Sequence, residues 1–258
     1  MTATPFVHLH VRSCYSFLDG ASTPAALVAR AADLGMPALA LTDRHGVYGA
    51  VEFLRSAEAA GIKPILGAEV DLDGHPLTLL AEGPEGYAAL CRLLTRAHRE
   101  RPRRQPAASW EALAEAAASG GLIALAGGRR GGIAARLLRG DRAGALAEAR
   151  RLRDLFGPGR FYVELVRDLT PGSWGLSRAL RDLAAALGVG VVATNDVAHA
   201  EREGFWVHDL LACVRTGTTV SGVHPARPFN AERHLKGPAG MAALFRDCPE
   251  AVRNALEI

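Results

Sequence analysis

Near the start of the chain lies the stretch Phe6-Val7-His8-Leu9-His10-Val11-Arg12-Ser13, in which apolar and polar residues alternate. This alternation predicts a β-strand with one face toward a core. Because side chains two residues apart on a strand point the same way, His8, His10 and Arg12 are predicted to share a face. Imidazole groups gathered beside carboxylates suit a divalent metal ion, whereas Arg12 is a permanent cation. The stretch therefore begins a site that either holds metal or has lost it.

Outward from this stretch, apolar strand-like runs alternate with helical patterns as far as about residue 200. The predicted strands are residues 6–11, 37–41, 64–72, 76–81, 122–126, 161–166 and 189–194. Asp73-Gly74 predicts a hairpin turn between the third and fourth strands. The alternation predicts an α/β fold with a mainly parallel sheet, closed or doubly wound, and the chain from Phe205 onward is predicted to be mostly helical.

Polar residues cluster where several predicted strands end. Residues 42–45 (Thr-Asp-Arg-His) follow the second strand, Glu69 lies within the third, and residues 195–199 (Asn-Asp-Val-Ala-His) follow the last. In a barrel, the C-terminal ends of the strands converge on one mouth. We therefore expect His, Asp and Glu side chains from separate segments to meet there, although a lone residue of this kind is more often a cap or a satisfied polar group.

The composition is that of an ordinary globular protein with room for one sizeable core. The chain has 258 residues, of which 49% are hydrophobic and 22% charged, with a formal net charge of +3. A charge this small does not by itself indicate nucleic acid as a partner. The four cysteines form no Cys-x-x-Cys pair, and no stretch has the form of a signal peptide or a membrane span. These features predict reduced thiols, a cytoplasmic location and no membrane contact.

Two further stretches have alternative interpretations. Residues 96–104 are basic, and we interpret them as an exposed linker between helices rather than a phosphate-contacting loop, because no aromatic residues are interleaved with them. Residues 127–132 (Gly-Gly-Arg-Arg-Gly-Gly) follow a strand and open a helix. We interpret them as a glycine-rich turn rather than a phosphate cradle, since they match no nucleotide-binding fingerprint.

Several motifs, in this order, closely resemble the PHP (polymerase and histidinol phosphatase) domain, in the version found at the N-terminus of the bacterial DNA polymerase III alpha subunit and its error-prone relatives. The motifs are residues 6–13, 17–21 (Phe-Leu-Asp-Gly-Ala), 41–44 (Leu-Thr-Asp-Arg), 49–53, 63–69, 193–197, 208–211, 235–237 and 249–251. The resemblance implies a single PHP-type domain over residues 1–258. It further implies a distorted TIM-like (β/α)7 barrel over about 5–200, with a helical extension toward a polymerase palm over about 201–258.

Intact members of this family bind a cluster of divalent metal ions at the barrel mouth, and some act as phosphoesterases or 3′–5′ exonucleases. In others the site is degenerate and the domain is structural. Three positions where the family carries a histidine ligand are Arg12, Arg44 and Ala198 in this chain. The resemblance implies that the metal ligands that remain are His10, Asp19, Glu69 and Asp196.

Secondary candidates for a metal ion lie near these motifs. They are His8, Glu164, His45 and His199. His45 and His199 each come one position after a lost histidine, and a one-residue slip turns a side chain to the opposite face of a strand. A bulge or loop would be needed to restore their direction.

The two arginines suggest what became of the metal. Without metal, the carboxylates of Asp19, Glu69 and Asp196 would repel one another. An arginine supplies a permanent charge and up to five hydrogen-bond donors. We predict that Arg12 and Arg44 replace the metal ions and pair with the retained acids, so that no metal cofactor is expected. The alternatives are a divalent zinc, manganese or magnesium ion, or a phosphate-binding pocket built on the two arginines.

The resemblance to the PHP domain, together with the lost histidine ligands, suggests three functions. The first is a structural or partner-docking PHP domain of a bacterial DNA polymerase III alpha-type subunit, in replication or translesion synthesis. Its partners would be a polymerase module in the same or a longer chain, a separate proofreading exonuclease subunit, and DNA reached through the parent assembly. The second is an active metal-dependent phosphoesterase or 3′–5′ exonuclease. The third is a stand-alone module that binds phosphate or single-stranded DNA. No palm carboxylates are assignable, so we place no nucleotide addition in this chain.

Overall fold

Six strands form one curled sheet in a computed structural model that describes residues 5–258. The strands, in sheet order, are β1 (Ala38–Leu41), β2 (Lys63–Leu72), β3 (His75–Ala81), β4 (Leu122–Ala126), β5 (Phe161–Val166) and β6 (Gly190–Thr194). β3 runs antiparallel to both of its neighbours, and the other pairs are parallel. The predicted hairpin between β2 and β3 is confirmed, because Asp73 and Gly74 have φ values of 51° and 80°, as a type I′ turn requires.

Helices flank the sheet, and most begin where a cap or a proline predicts a start. They are α1 (Pro24–Asp33), α2 (Ala50–Ala60), α3 (Gly83–Arg99), α4 (Trp110–Ala118), α5 (Gly132–Leu138), α6 (Arg142–Phe156), α7 (Ser173–Leu187), α8 (Phe205–Thr216), α9 (Pro238–Leu244) and α10 (Pro249–Glu257). The start of α1 is typical, since the Thr23 hydroxyl accepts a hydrogen bond from the N–H of Ala26 and a proline follows the cap. Among the described helices, none combines the length and hydropathy that crossing a bilayer requires.

The first segment, residues 6–12, lies between the two edges of the curled sheet. On one side, the N–H of Ala40 in β1 donates to the carbonyl of His8 at 2.9 Å. On the other side, the N–H of Val197, just after β6, donates to the carbonyl of His10 at 3.0 Å. The segment therefore joins β1 to the end of β6. The predicted distorted TIM-like α/β fold is confirmed, but the sheet of the described residues has six strands and not the seven predicted.

The predicted regular strand over residues 6–11 is wrong in one respect, because the segment forms isolated bridges with its neighbours. The N–H of Val11 donates to the hydroxyl oxygen of Thr42 at 2.9 Å instead of to a backbone carbonyl. The Thr42 hydroxyl thus replaces a backbone carbonyl as the hydrogen-bond acceptor at this point between the strands. The periodicity of the sequence gives no sign of this replacement.

The main hydrophobic core lies between the sheet and its helices, and it includes residues from the C-terminal helices α9 and α10 such as Met241, Ala251 and Val252. Asn254 on α10 also donates to the carbonyl of Val191 in β6 at 2.7 Å. A smaller core joins α1, α2 and β1. Residues 238–258 therefore share the core of the barrel, and the domain boundary near residue 200 stays a prediction.

Candidate functional site

Arg12 lies at the centre of the barrel mouth with none of its surface exposed. Its Nη1 donates to Asp19 Oδ2 at 2.8 Å and lies 3.7 Å from Glu69 Oε2, while its Nη2 contacts Asp196 Oδ1. Burial alone would lower the pKa of Arg12, but the Asp19 and Asp196 carboxylates raise it above its ordinary value. One permanently charged guanidinium therefore joins acids from three separate segments.

His10 is the second buried cation of the site. Its Nδ1 lies 2.7 Å from Glu164 Oε1, and its Nε2 lies 3.1 Å from Glu69 Oε2 and 3.4 Å from Asp196 Oδ1. Burial favours the neutral ring, but the Glu164 and Asp196 carboxylates raise the pKa of His10 to about 10. Both ring nitrogens then carry protons and donate to carboxylates, so neither offers a lone pair to a metal ion.

Glu164 is held in place by hydrogen bonds from β6 and from the turn that follows β4. Its Oε1 accepts from the hydroxyl of Thr194 in β6 at 2.5 Å, and its Oε2 accepts from the N–H of Gly128 at 3.2 Å. Gly127 allows this approach, since a Cβ at that position would overlap the backbone of Glu164. The predicted glycine-rich turn thus lets the backbone at the end of β4 pack closely against β5.

A ring of four more arginines surrounds the buried acids. The ion pairs are Arg44 Nε to Glu69 Oε1 (3.0 Å), Arg130 Nη2 to Glu69 Oε2 (3.6 Å), Arg215 Nη1 to Asp19 Oδ1 (3.4 Å) and Arg233 Nη2 to Asp196 Oδ2 (3.0 Å). Sequence reasoning missed all three outer arginines. Arg130 lies in the stretch 127–132 that we interpreted only as a turn, and Arg215 and Arg233 lie in segments that no motif marks. The available signal in the sequence was the number of acidic side chains predicted to meet at the barrel mouth, because these acids need cations as partners.

The positive groups of the site outnumber its four carboxylates without a metal ion. Burial alone would raise the pKa of Asp19 and of Glu69, but Arg12 beside them holds both below their usual values. Burial would likewise raise the pKa of Glu164, but His10 holds it below its usual value. The four carboxylates of the mouth, which include Glu164 and Asp196, thus lie beside five arginines and His10. Arg12 supplies one of the positive charges that a metal ion would otherwise bring to these acids.

A metal ion fits this arrangement only in part. His10, Glu69 and Asp196 each offer one ligand atom, and these three atoms lie within 4.8 Å of one another, so the group could hold one ion. However, Asp196 Oδ1 already contacts Arg12, and both nitrogens of His10 are occupied. A cluster of several ions does not fit, because the Arg12 guanidinium lies among the acids that would bind it. Its complete burial also keeps Arg12 from reaching a phosphate.

The structure does not bring three of the secondary candidates to this cluster. His8 Nε2 donates to the carbonyl of Lys236 at 3.0 Å, and His199 Nδ1 donates to the carbonyl of Glu201 at 2.7 Å. Burial lowers the pKa of both histidines to about 4, so both rings are neutral. His45 lies in the wall of a surface cavity beyond Arg44. Only Glu164, among the secondary candidates, joins the buried acids.

Comparison with known proteins agrees with this architecture. Residues 8–168 match the family model described as the PHP domain. The chain is 53% identical over 270 residues to an error-prone DNA polymerase of Symbiobacterium thermophilum, covering 98% of this chain and 25% of that protein. It is 37% identical over 266 residues to the DNA polymerase III subunit alpha of Escherichia coli (strain K12), covering 100% of this chain and 23% of that protein. The chain thus spans about a quarter of the length of these relatives.

A solved structure shares the fold at low sequence identity. It is a two-domain protein from Bacteroides vulgatus that contains a predicted PHP-like metal-dependent phosphoesterase. The TM-score is 0.51 at 13% identity, and the match covers 100% of this chain and 72% of that one. At this identity, the likeness concerns the fold alone.

Proposed function

The chain belongs to the PHP domain family, and we propose that it is the PHP domain of a bacterial DNA polymerase III alpha-type protein, replicative or error-prone, whose barrel mouth is structural rather than catalytic. The observation that carries the structural role is the buried guanidinium of Arg12 among three carboxylates. The names and extents of the relatives support membership of a longer polymerase. Nucleotide addition, DNA contact and cytoplasmic location would be properties of that longer protein.

The structural role consists in closing the barrel. Arg12 belongs to the segment that joins the sheet edges, Glu69 belongs to β2, and Asp196 follows β6. A cation among these acids holds all three elements together, and each acid becomes an uncompensated buried charge if that cation is lost. Unlike a metal ion, the guanidinium cannot dissociate from the protein, so closure does not depend on metal supply.

The proposed partners are a polymerase module in the same chain and a separate proofreading exonuclease subunit that docks on the barrel. The size of the native protein tests the first part. An antibody raised against residues 5–258 should detect a native polypeptide about four times the mass of this chain, since the chain covers 25% of its error-prone relative. Detection of a native polypeptide no longer than this chain would contradict it and favour the stand-alone module.

A second candidate function is a metal-dependent phosphoesterase or 3′–5′ exonuclease, and the grouping of His10, Glu69 and Asp196 favours it. A zinc, manganese or magnesium ion held there would activate a water molecule for attack on a phosphodiester. His10 would first have to release a proton, and Asp196 would have to release Arg12. These two requirements lead us to rank it second.

An exonuclease measurement separates the two functions. The 258-residue chain would be incubated with a 3′-labelled single-stranded oligonucleotide and manganese, magnesium or zinc, beside a Glu69→Gln variant as the matched control. We expect no metal-dependent release of the label from either protein. Metal-dependent release by the wild type that Glu69→Gln abolishes would contradict the structural role and establish the second candidate.

A further inference from the structure

A surface groove beside the barrel mouth combines exposed aromatic rings with unpaired arginines. Its volume is about 860 Å³, and it lies between the loops that precede α1 and α2 and the chain that joins α3 to α4. We call it the aromatic groove and define it by Tyr15, Phe17, Tyr48, His98, Arg101 and Arg104. It is separate from the buried cluster, and Arg44 connects the two by lining the groove while contacting Glu69.

One wall of the groove carries uncompensated positive charge. Arg101 and Arg104 are exposed, and in the part of the chain that the structure describes neither of them forms an ion pair. The neighbouring carboxylate of Glu100 is already bonded to Arg96 at 2.6 Å. Among the described residues that line the groove, Asp71 is the one that carries a carboxylate. The wall is therefore net positive and suited to an anionic ligand.

The opposite wall presents aromatic rings to solvent, and two of them are held by packing. Phe17 is 83% exposed and Tyr48 is 65% exposed. A Cβ at Gly49 would lie 2.8 Å from Tyr15 Cδ2, and a Cβ at Gly46 would overlap the ring of Tyr48. Both tyrosine rings thus pack directly on glycine backbone, which orders them before any ligand arrives and lowers the entropic cost of binding.

We propose that the aromatic groove binds single-stranded nucleic acid, with bases stacked on the Tyr48 and Phe17 rings and phosphates paired with Arg101 and Arg104. Aromatic platforms beside a basic wall are the usual means of binding single strands without sequence preference. The volume lies within the roughly 300–1,000 Å³ of small-ligand sites, which is room for a short stretch of strand. A duplex fits less well, because its bases are already stacked on each other.

Residues 96–99 of the basic stretch belong to α3, and residues 101–104 lie in the exposed chain between α3 and α4, as the prediction of a linker has it. The inference adds a ligand to that linker. The aromatic residues that the basic stretch lacks come from residues 15–48, and the fold brings the two together. The inference does not rest on the proposed function, since it uses neither the polymerase relationship nor the metal question.

Fluorescence anisotropy with a labelled oligo(dT) of about twelve nucleotides, at about 50 mM NaCl, tests the proposal. We expect Tyr48→Ala to weaken binding by about 5- to 150-fold, the effect of one stacked base. Tyr48→Phe should retain binding because it keeps the ring, and Gly46→Ala should weaken binding by displacing that ring. Trp206→Ala is the matched control, since Trp206 is exposed but lies outside the groove.

The charged wall has its own test. Replacing Arg101 and Arg104 by alanine should reduce the slope of log affinity against log salt concentration by about 0.7 for each lost phosphate contact. Absence of oligo(dT) binding, equal loss in Tyr48→Ala and Trp206→Ala, or equally tight binding of a DNA duplex would each overturn the proposal. Binding of thymidine monophosphate as tight as that of oligo(dT) would overturn the assignment to a strand, since the ligand would then be a free nucleotide. Circular dichroism of each variant checks that it is folded.

Discussion

Replacing Arg12 by alanine should destabilise the protein strongly. The side chain has no exposed surface and contacts Asp19 at 2.8 Å, Glu69 at 3.7 Å and also Asp196. Removing one partner of a buried ion pair costs about 3–5 kcal/mol, because the other charge stays buried without compensation. For a domain of this size, each kcal/mol lowers the melting temperature by about 2–4 °C, so we expect a decrease of about 6–20 °C.

The measurement is urea unfolding followed by circular dichroism, with Arg44→Ala as the control. Arg44 also contacts Glu69, but its side chain is 31% exposed. When Arg44 is removed, Glu69 keeps Arg12, Arg130 and His10 as partners, so this variant should lose less stability than Arg12→Ala. Adding Asp19→Asn to Arg12→Ala should recover part of the loss, since it removes one of the repelling charges. An Arg12→Ala protein within about 1 kcal/mol of the wild type would refute the assignment of Arg12 as the compensating cation.

Further predictions concern parts of the barrel outside the cluster. The pKa of His8 is about 4 in the folded state, against 6.5 for an unperturbed histidine, so the unfolded chain binds a proton that the folded one does not. Wild-type stability should therefore fall by up to about 3 kcal/mol more than that of His8→Gln as the pH decreases from 6.5 to 4, which urea titrations at several pH values measure. Gly74→Ala should cost about 1 kcal/mol in urea unfolding, because φ at this turn is 80° and no neighbouring atom limits the space. Arg167→Ala should cost more than the ~1 kcal/mol of an exposed pair, because Arg167 is buried and donates twice to Asp247; a thermal melt unchanged from the wild type would contradict this.

Local chemistry made much of the fold predictable from the sequence. The Asp73-Gly74 hairpin follows from the two positive φ values that such a turn needs, and the strand and helix order follows from apolar periodicity. The first segment was harder to predict, since its edge-joining bridges use the hydroxyl of Thr42, a contact between residues distant in sequence. When a side chain replaces a backbone acceptor between two strands, the pattern of apolar and polar residues does not change.

In the site, too, the residues within sequence motifs were predictable, and the residues contributed by distant segments were not. The replacement of family histidines by Arg12 and Arg44 is visible in the sequence motifs. The structure places both arginines beside acidic side chains. The outer arginines at positions 130, 215 and 233 come from three separate segments, and no spacing rule connects them with Asp19, Glu69 or Asp196. The aromatic groove was missed for the same reason, because its two walls are more than fifty residues apart in the chain.

The most direct test of the central claim is a calorimetric titration of Mn²⁺ and Zn²⁺ into the wild-type chain and into Arg12→Ala, after elemental analysis of protein purified without chelator. We expect far less than one metal ion per wild-type chain and no binding heat, because the guanidinium already compensates Asp19 and Asp196. Arg12→Ala, which leaves these acids free, should gain metal binding and be stabilised by it. Near-stoichiometric metal in the wild type, with a melting temperature that rises on metal addition, would contradict the claim that Arg12 has replaced the metal.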